Sequence, residues 1–247
     1  MLLFNSLLAA IIISLLSFLG AISLVIGSDK LKKSLIYLIS FSAGSMIGAT
    51  FLHLLPEVLE KDKKSLEIFI LVLIGFSIFF ILERLLRWHH CHEENCVTHE
   101  HLGWLNLIGD SIHNFIDGMI ILVSFAGGTS LGIIVTLSIM MHEIPQELGD
   151  FGILLYAGFS KVKALFYNFI SACTALLGVL FAYWLYAYNE ITISSLIPLV
   201  AGGFIYIAAT DLVPEIHKDN NIFRTLISYL LFIIAIIFMY FMKIIFE

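Results

Sequence analysis

AGSMIGATFLHLLPEV, at residues 43–58, returns without a gap as AGGFIYIAATDLVPEI at residues 201–216. The two copies share Ala, Gly, Ile, Leu and a Pro-Glu ending, and His53 aligns with Asp211. Each copy lies in an apolar run long enough to cross a bilayer as a helix. Because these runs are the second and seventh of the chain, they are expected to cross in opposite directions. The pattern predicts an inverted repeat, which is typical of transporters with a site near the membrane midplane.

Apolar runs make up almost the whole chain around these two copies. Of the 247 residues, 60% are hydrophobic and only 13% are charged, which is too few polar side chains to cover a soluble domain. We predict an all-α membrane protein with eight transmembrane helices, forming a single transmembrane transporter domain over residues 1–247. No basic patch or Gly-rich phosphate loop indicates a nucleic-acid or nucleotide partner. The predicted spans are 2–27, 34–58, 66–88, 103–127, 130–158, 163–188, 192–216 and 222–245.

The distribution of basic residues predicts the orientation of the chain. Nine of the thirteen Lys and Arg residues follow the first, third, fifth and seventh spans. Because basic residues favour the cytoplasmic side, both termini are expected to lie outside the cytoplasm. The first apolar run lacks a basic leader and is too long for a signal-peptide core, so we interpret it as a retained span. An integral multi-pass protein of the cell (inner) membrane is therefore predicted.

Polar side chains are concentrated in the fourth and fifth spans. These spans contain DSIHNFIDG at 110–118 and HEIPQELGD at 142–150. A charged side chain near the bilayer centre costs at least ~2.5–3.5 kcal/mol on insertion scales. So many ionisable groups at this depth require a strong partner, and a cation is the partner that their chemistry indicates.

Helical spacing arranges these groups as two ladders of candidate ligands. His113 and Asp117 are spaced i, i+4 and share one helix face, as do His142 and Gln146. Both histidines lie roughly ten to twelve residues into their spans, near mid-membrane at ~1.5 Å per residue. Imidazole and carboxylate ligands suit Zn²⁺, Fe²⁺ and Mn²⁺ better than Mg²⁺ or Ca²⁺. The predicted ligands of one or two divalent ions are His113, Asn114, Asp117, His142, Glu143 and Gln146.

Pro145 lies in the middle of the second ladder. It removes one backbone hydrogen bond and predicts a kink that frees the carbonyl of Met141. Irregular backbone at membrane depth is tolerated where it is buried in protein or lines a cavity. The kink therefore supports a site at this level of the fifth span.

Four other interpretations fit part of the pattern. Interhelical hydrogen bonding would explain a few polar groups, but it does not require so many like charges together. An intramembrane metalloprotease is suggested by His142-Glu143, which begins like HExxH, although Gln146 replaces the second histidine and Pro145 falls within the motif. A cation channel and a bundle held by a bound ion use the same ligands. We favour a transporter, and we predict that the chain is not an enzyme.

Further polar residues extend the predicted ion path toward both faces of the membrane. Snorkelling or helix capping explains residues this close to an interface equally well. The candidate entry, exit or secondary residues are His53, Glu57, Asp110, Glu147, Asp150, Asp211 and Glu215.

A polar loop at residues 89–102 contains HHCHEENC followed by His99 and His101. Flanking arginines place it in the cytoplasm, where thiols stay reduced, so its cysteines are not predicted to form a disulfide. The loop either captures or senses metal, or it is a solvated segment without a ligand role. Its candidate ligands are His89, His90, Cys91 and His92.

These motifs resemble the ZIP (Zrt-, Irt-like protein) family of divalent metal transporters. The similarity is to the branch with HNFxDG in its fourth helix and HExPHE in its fifth, which stand here as HNFIDG at 113–118 and HEIPQE at 142–147. FLHLLPE at 51–57 and AGGFIYIAATDLVPEI at 201–216 also resemble that branch. The resemblance implies a 3+2+3 helix arrangement with inverted repeats, a binuclear site in helices 4 and 5, uptake of metal, zinc above all, into the cytoplasm, and a homodimer. The mechanism that we predict is alternating access, in which the repeat halves open one side of the site and then the other.

The resemblance also implies how the ligands divide between two ions. One ion would be held by His113, Asp117, His142 and Gln146, and the second by Asn114, Asp117, Glu143 and Gln146. The chain departs from the family pattern at Gln146, where the family has histidine. Because glutamine keeps an oxygen acceptor but lacks the imidazole nitrogen, Fe²⁺, Mn²⁺ and Cd²⁺ stay open as substrates beside Zn²⁺.

Overall fold

The computed structural model describes residues 1–24, 28–61, 65–88, 99–188, 193–218 and 221–246, and nearly all of these are helical. The long apolar runs form helices because a backbone in lipid must satisfy its hydrogen bonds internally. A 3-10 helix, Leu15–Leu24, continues α1, and two π-helical turns, Thr50–Leu54 and Ala208–Leu212, follow α2 and α9. The α-helices are α1 Leu2–Ser14, α2 Ser28–Ala49, α3 Leu55–Lys61, α4 Ser65–Trp88, α5 His99–Gly127, α6 Thr129–Tyr156, α7 Lys161–Ala172, α8 Thr174–Tyr188, α9 Ile193–Ile207, α10 Val213–His217 and α11 Ile222–Phe246.

Seven helical segments in the described ranges are long and apolar enough to cross a membrane. They correspond to the predicted spans except the fifth. That span coincides with α6, which has 28 residues and is long enough to cross. Its apolar character is diluted by the polar side chains between His142 and Asp150. The chain is therefore a multi-pass all-α membrane protein.

Glycines allow the closest helix pairs to approach backbone to backbone. A Cβ added at Gly44 in α2 would collide with the carbonyl oxygen of Phe232 in α11. One added at Gly202 in α9 would collide with the carbonyl oxygen of Val72 in α4. The two glycines occupy equivalent positions in the copies at 43–58 and 201–216. The pair α2–α11 therefore packs in the same manner as the pair α9–α4, as small residues permit in membrane helices.

We expect the substitution Gly44→Ala to destabilise the fold by about 1–3 kcal/mol, because the new methyl group meets a backbone carbonyl that cannot move aside. The measurement is the free energy of unfolding of the purified protein in detergent. Gly152→Ala in α6 is the matched control, since Gly152 has no neighbouring atom within 4 Å of an added Cβ. The control should be unchanged or more stable by up to about 1 kcal/mol through better helix propensity. Equal stability of Gly44→Ala and the wild type would contradict the close contact.

Prolines account for the two π-helical turns. Thr50–Leu54 leads into Pro56, and Ala208–Leu212 leads into Pro214. Because proline has no N–H, the carbonyl four residues before it loses its helical partner. For Pro56 this is the carbonyl of Leu52, which accepts a hydrogen bond of 3.0 Å from the Lys243 ammonium in α11. The Lys243 side chain of α11 thus provides a hydrogen-bond donor to the Leu52 carbonyl, which Pro56 leaves without its helical partner.

The turn after α6 brings α7 back against the centre of the bundle. Gly158 has φ of 91° and ends the helix with a paired motif, in which its N–H donates to Leu155 O at 3.1 Å and the N–H of Phe159 donates to Leu154 O at 3.1 Å. Glycine suits this left-handed position because it has no Cβ. The reversal places Asn168 of α7 beside Glu147 of α6.

Candidate metal centre

Helices α5 and α6 pack against each other and bring four ionisable side chains together. His113 and Asp117 come from α5, and His142 and Glu143 come from α6. Asp117, His142 and Glu143 are buried, with 1%, 2% and 0% of their surface exposed, whereas the His113 side chain is 22% exposed. We call this group the four-ligand cluster. Within the described ranges it is the one set of three or more His, Cys, Asp or Glu ligands whose atoms gather within 4.8 Å of one another.

The ligand atoms of the four-ligand cluster are nearly equidistant. The Nε2 atoms of His113 and His142 are 3.4 Å apart. His113 Nε2 lies 3.3 Å from Glu143 Oε1 and 3.8 Å from Asp117 Oδ2. His142 Nε2 lies 3.2 Å from Asp117 Oδ2 and 3.5 Å from Glu143 Oε1. Five of the six separations among these atoms thus lie between 3.2 and 3.8 Å, and the whole set gathers within 4.8 Å.

A tetrahedral zinc site has this size. Zinc bonds to nitrogen and oxygen ligands of about 2.0–2.1 Å place neighbouring ligand atoms about 3.3–3.4 Å apart. Two carboxylates and two neutral imidazoles carry a total charge that a divalent cation balances. The cluster therefore matches a divalent transition metal in ligand type, spacing and charge.

The surroundings of the cluster orient its ligands but leave the carboxylates available. His142 Nδ1 lies 3.3 Å from the carbonyl oxygen of Ser138, which suits a ring that donates from Nδ1 and presents Nε2 to the centre. The ring of Phe204 in α9 packs edge-on against that imidazole, with the centroids 6.4 Å apart. Both oxygens of Asp117 and of Glu143 are buried, and within the described structure none accepts a conventional hydrogen bond. Each of these carboxylates lies within 3.8 Å of both imidazoles.

Pro145 leaves one carbonyl of α6 without its helical partner, as the sequence predicts. Its ring removes the donor to the carbonyl of Met141, and the hydroxyl of Ser42 in α2 donates to that oxygen instead. This hydrogen bond ties α2 to α6 one residue before His142. A helix of the first repeat copy thereby supports the backbone that presents two of the four ligands.

The substitution Ser42→Ala should leave the carbonyl of Met141 buried without a donor. We expect a loss of about 1–3 kcal/mol in the free energy of unfolding, which is the usual cost of an unsatisfied buried acceptor. Ser77→Ala in α4 is a suitable control, because Ser77 is an exposed serine whose hydroxyl donates only within its own helix, to Leu73 O. Similar stability of the two variants would show that the Ser42 hydroxyl does not support α6.

The two amide residues among the predicted ligands lie beside the four-ligand cluster and not within it. Asn114 Nδ2 donates to Asp110 Oδ1 at 2.8 Å, and Gln146 Nε2 donates to the same oxygen at 3.3 Å. The division of the six residues between two ions, as the family resemblance implies it, stays a prediction. Glu143 faces both histidines, while Gln146 is directed toward Asp110.

The remaining predicted path residues fall into two groups. Asp110, Glu147 and Asp150 are buried in α5 and α6 close to the cluster. His53 is also buried, but its Nε2 lies 2.9 Å from the carbonyl oxygen of Met239 in α11. The others are less buried: Glu57 and Asp211 are half-buried, and Glu215 is exposed and pairs with Lys218 at 2.5 Å. The predicted loop ligands His89, His90, Cys91 and His92 lie outside the described residues.

Four residues that support these groups were not predicted from the sequence. The Ser42 hydroxyl in α2 donates to the carbonyl of Met141, and the carbonyl oxygen of Ser138 in α6 lies 3.3 Å from His142 Nδ1. Asn106 Nδ2 donates to Asp150 Oδ1 at 3.0 Å, and the amide of Asn168 donates to Glu147. Asn168 could have been predicted from the sequence as a residue with a polar partner. An amide in an apolar span needs a hydrogen-bond partner for the same reason as a carboxylate does.

Comparison with known protein families agrees with this geometry. A profile described as the ZIP zinc transporter family matches residues 2–93 and 87–243 of the chain. The chain belongs to the ZIP zinc transporter family. Its ligand-bearing helices α5 and α6 lie entirely within the second matched segment. The family resemblance stated from the sequence motifs is therefore confirmed, and membership supports a transporter and not an enzyme.

Several zinc transporters are similar to this ZIP family chain. It is 32% identical over 216 residues to Zinc transporter ZIP13 of Pongo abelii, which covers 82% of this chain and 65% of the relative. It is 30% identical over 251 residues to Zinc transporter YKE4 of Saccharomyces cerevisiae, with 88% and 72% covered. Zinc transporter ZIP10 of Homo sapiens is 36% identical over 149 residues, which is 18% of that protein. The chain thus spans just under two thirds of the ZIP13 relative.

Proposed function

We propose that this protein carries Zn²⁺ across the membrane and into the cytoplasm, with the four-ligand cluster as the ion-binding site. The observation that carries the proposal is the spacing of two imidazole nitrogens and two carboxylate oxygens between two membrane helices, in which each nitrogen lies 3.2–3.8 Å from both oxygens and 3.4 Å from the other nitrogen. Membership of a zinc transporter family supports the same substrate. The partial exposure of His113 supports access to the cluster from one side.

Alternating access is the proposed mechanism, with the copies at 43–58 and 201–216 as parts of two inverted repeats in a 3+2+3 arrangement of eight spans. The equivalent packing of Gly44 on α11 and Gly202 on α4 supports this symmetry, as do the matching π-helical turns before Pro56 and Pro214. In such transporters one repeat rocks against the other around a fixed site. Here α6 serves as the fifth span, since its length suits a crossing and its polar residues face the site.

The proposal extends to a second ion. Asn114 directly follows His113, and Gln146 lies one helical turn after His142. Rotating either amide group by 180° would present its oxygen in place of its nitrogen. With that change they would complete a binuclear site with Asp117 and Glu143. Fe²⁺, Mn²⁺ and Cd²⁺ are further candidate substrates, because imidazole and carboxylate ligands accept each of them.

The assembly and its setting are proposed from the sequence pattern. A homodimer follows the family resemblance. Termini outside the cytoplasm follow the bias of Lys and Arg toward the odd-numbered connections. The cell (inner) membrane is the proposed location, with the residues at 89–102 on the cytoplasmic side as a segment that captures or senses metal.

The test is uptake of Zn²⁺ into liposomes that contain the purified protein. We expect uptake that saturates in the micromolar range of zinc, with empty liposomes as the control. Uptake that rises in proportion to zinc without saturating would replace the carrier with a channel. Cleavage of a membrane peptide without any metal movement would overturn transport as the function.

A further inference from the structure

The helices of both repeat copies contact α6 at neighbouring residues. In the helix of the first copy, the hydroxyl of Ser42 donates to the carbonyl of Met141. In the second copy, the ring of Phe204 in α9 packs against the imidazole of His142, with the ring centroids 6.4 Å apart and the ring planes inclined at 75°. At His142 the second copy therefore contacts one of the four ligands directly.

The close packing of α9 on α4 fixes the position of Phe204. Gly202 allows this approach, because a Cβ added there would collide with the carbonyl oxygen of Val72 in α4. An α-helix turns by about 100° per residue, so Phe204 lies about 200° around α9 from Gly202, on the side away from α4. The Phe204 side chain is fully buried there. Its ring is thus a rigid part of the second copy.

The His142 imidazole needs such a neighbour to define its orientation. Its Nδ1 lies 3.3 Å from the carbonyl oxygen of Ser138, whereas N–H···O hydrogen bonds in proteins are most often about 2.9–3.0 Å long. Rotation of a histidine ring about its last side-chain bond has a broad energy minimum. Because a long hydrogen bond restrains this rotation weakly, packing against Phe204 sets the direction in which Nε2 points.

We propose that Phe204 is a positioning residue of the four-ligand cluster, which holds the His142 imidazole in the orientation that binds the ion. Phe204 offers no ligand atom, so it acts through His142. Loss of a group that orients a metal-bound histidine lowers the affinity for the metal about 10–100-fold. This inference rests on the proposed function, because it takes the four-ligand cluster as the ion-binding site. It makes the affinity for metal depend on the second repeat copy.

Phe204 also contributes to the hydrophobic core, so a loss of packing must be separated from a loss of position. Phe151 in α6 offers the comparison, because it is likewise a fully buried phenylalanine. It belongs to a different cluster of buried apolar side chains and packs where Gly20 approaches α6. It follows His142 by nine residues, which is about 13–14 Å along the helix. The same substitution at both positions therefore disturbs the core twice but His142 only once.

The first experiment measures equilibrium binding of Zn²⁺ to purified Phe204→Leu and Phe151→Leu. Both changes replace a buried ring by a smaller apolar side chain, so both should lower the unfolding temperature by similar amounts. We expect Phe204→Leu to bind Zn²⁺ about tenfold more weakly than the wild type, and Phe151→Leu to bind within about twofold of it. The residues at 89–102 are the same in all variants, so zinc that they bind contributes equally. Equal affinities of the two variants would overturn the positioning role.

A second experiment asks whether Phe204 acts through His142, by combining Phe204→Leu with the loss of either histidine. In protein that carries His142→Gln, the imidazole is absent and Phe204→Leu should weaken zinc binding by less than about twofold. In protein that carries His113→Gln, His142 is present and Phe204→Leu should weaken zinc binding about tenfold again. The same loss in both backgrounds would mean that Phe204 acts on the fold as a whole, which overturns the proposal.

Phe204→Met replaces Phe204→Leu if the leucine variant is unstable. Methionine fills irregular core space without a ring, and it is the residue at the aligned position of the first copy, Met46. Co²⁺ in place of Zn²⁺ then reports the geometry of the ligands through its visible absorption. We expect the Co²⁺ spectrum of Phe204→Met to differ from that of the wild type, and that of Phe151→Leu to match it. A wild-type spectrum in Phe204→Met would overturn the positioning role.

The two proposals fail in different ways. If zinc uptake into liposomes is normal but Phe204→Leu binds zinc as Phe151→Leu does, the positioning role is wrong and the proposed function stands. If Phe204→Leu weakens zinc binding as expected but the wild type gives no uptake, the cluster stands as a metal site positioned by Phe204 and the transport proposal fails.

Discussion

Zinc uptake is expected to fall by more than about 100-fold when Asp117→Asn and Glu143→Gln are combined. The substitutions keep the shape of both side chains but remove the two negative charges that balance a divalent cation. Loss of an outer partner of a metal ligand already costs about 10–100-fold in affinity, and loss of two ligand charges exceeds that. The measurement is the initial rate of ⁶⁵Zn²⁺ uptake into liposomes at a zinc concentration below saturation.

The control for this variant is Glu215→Gln, in an exposed acid that pairs with Lys218 on the surface. It should transport at the wild-type rate. The doubly substituted protein must also elute as a single species of wild-type size, so that the loss is not one of folding. A well-folded double variant that transports within twofold of the wild type would show that these carboxylates do not bind the transported ion.

Gln146→His is expected to shift selectivity toward zinc by about tenfold relative to Mn²⁺. Glutamine at this position donates its amide to Asp110 at 3.3 Å and offers only oxygen as a ligand. Histidine would bring a third imidazole nitrogen within one helical turn of His142, and nitrogen ligands favour zinc over manganese. The measurement is inhibition of ⁶⁵Zn²⁺ uptake by increasing Mn²⁺, in wild type and variant.

The control variant Gln146→Glu shows whether a change in selectivity comes from the nitrogen ligand or from a stronger ligand of any kind. The added carboxylate strengthens binding of both metals, so it should leave the ratio of zinc to manganese nearly unchanged. If Gln146→His leaves the ratio unchanged as well, Gln146 does not contribute to selectivity and acts only through its contact with Asp110.

Local chemistry explains which features could be predicted from the sequence. Apolar length predicts helices in lipid, because no other backbone arrangement satisfies its hydrogen bonds within one segment. The spacing of His113 and Asp117 predicts a shared face, and these atoms are 3.8 Å apart in the structure. Pro145 predicts a free carbonyl at Met141, which Ser42 satisfies. Each of these inferences needs no knowledge of which helices are neighbours.

Features that depend on packing between helices could not be predicted. Gln146 shares a helix face with His142, but its amide donates to Asp110 of α5 once α5 and α6 meet. The contact of Asn168 with Glu147 requires α7 to return beside α6, which no spacing along the chain reveals. The side-chain partners of Gln146 and Glu147 therefore depend on the arrangement of the helices and not on spacing along the chain.

The polar character of α6 illustrates the same limit. By composition alone, seven helical segments in the described ranges qualify as spans, and α6 does not. Its acids and amides are tolerated because most of them are buried against α2, α5 and α7 and not exposed to lipid. Hydropathy reports the average of a segment, whereas the cost of a polar group depends on its neighbours in space.

X-ray absorption at the zinc edge, on purified protein loaded with one equivalent of Zn²⁺, tests the four-ligand cluster most directly. We predict a shell of two imidazole nitrogens and two carboxylate oxygens at about 2.0–2.2 Å, and its loss in the Asp117→Asn, Glu143→Gln variant. A shell with sulfur at about 2.3 Å, or the same spectrum in that variant, would mean that zinc binds elsewhere in the chain.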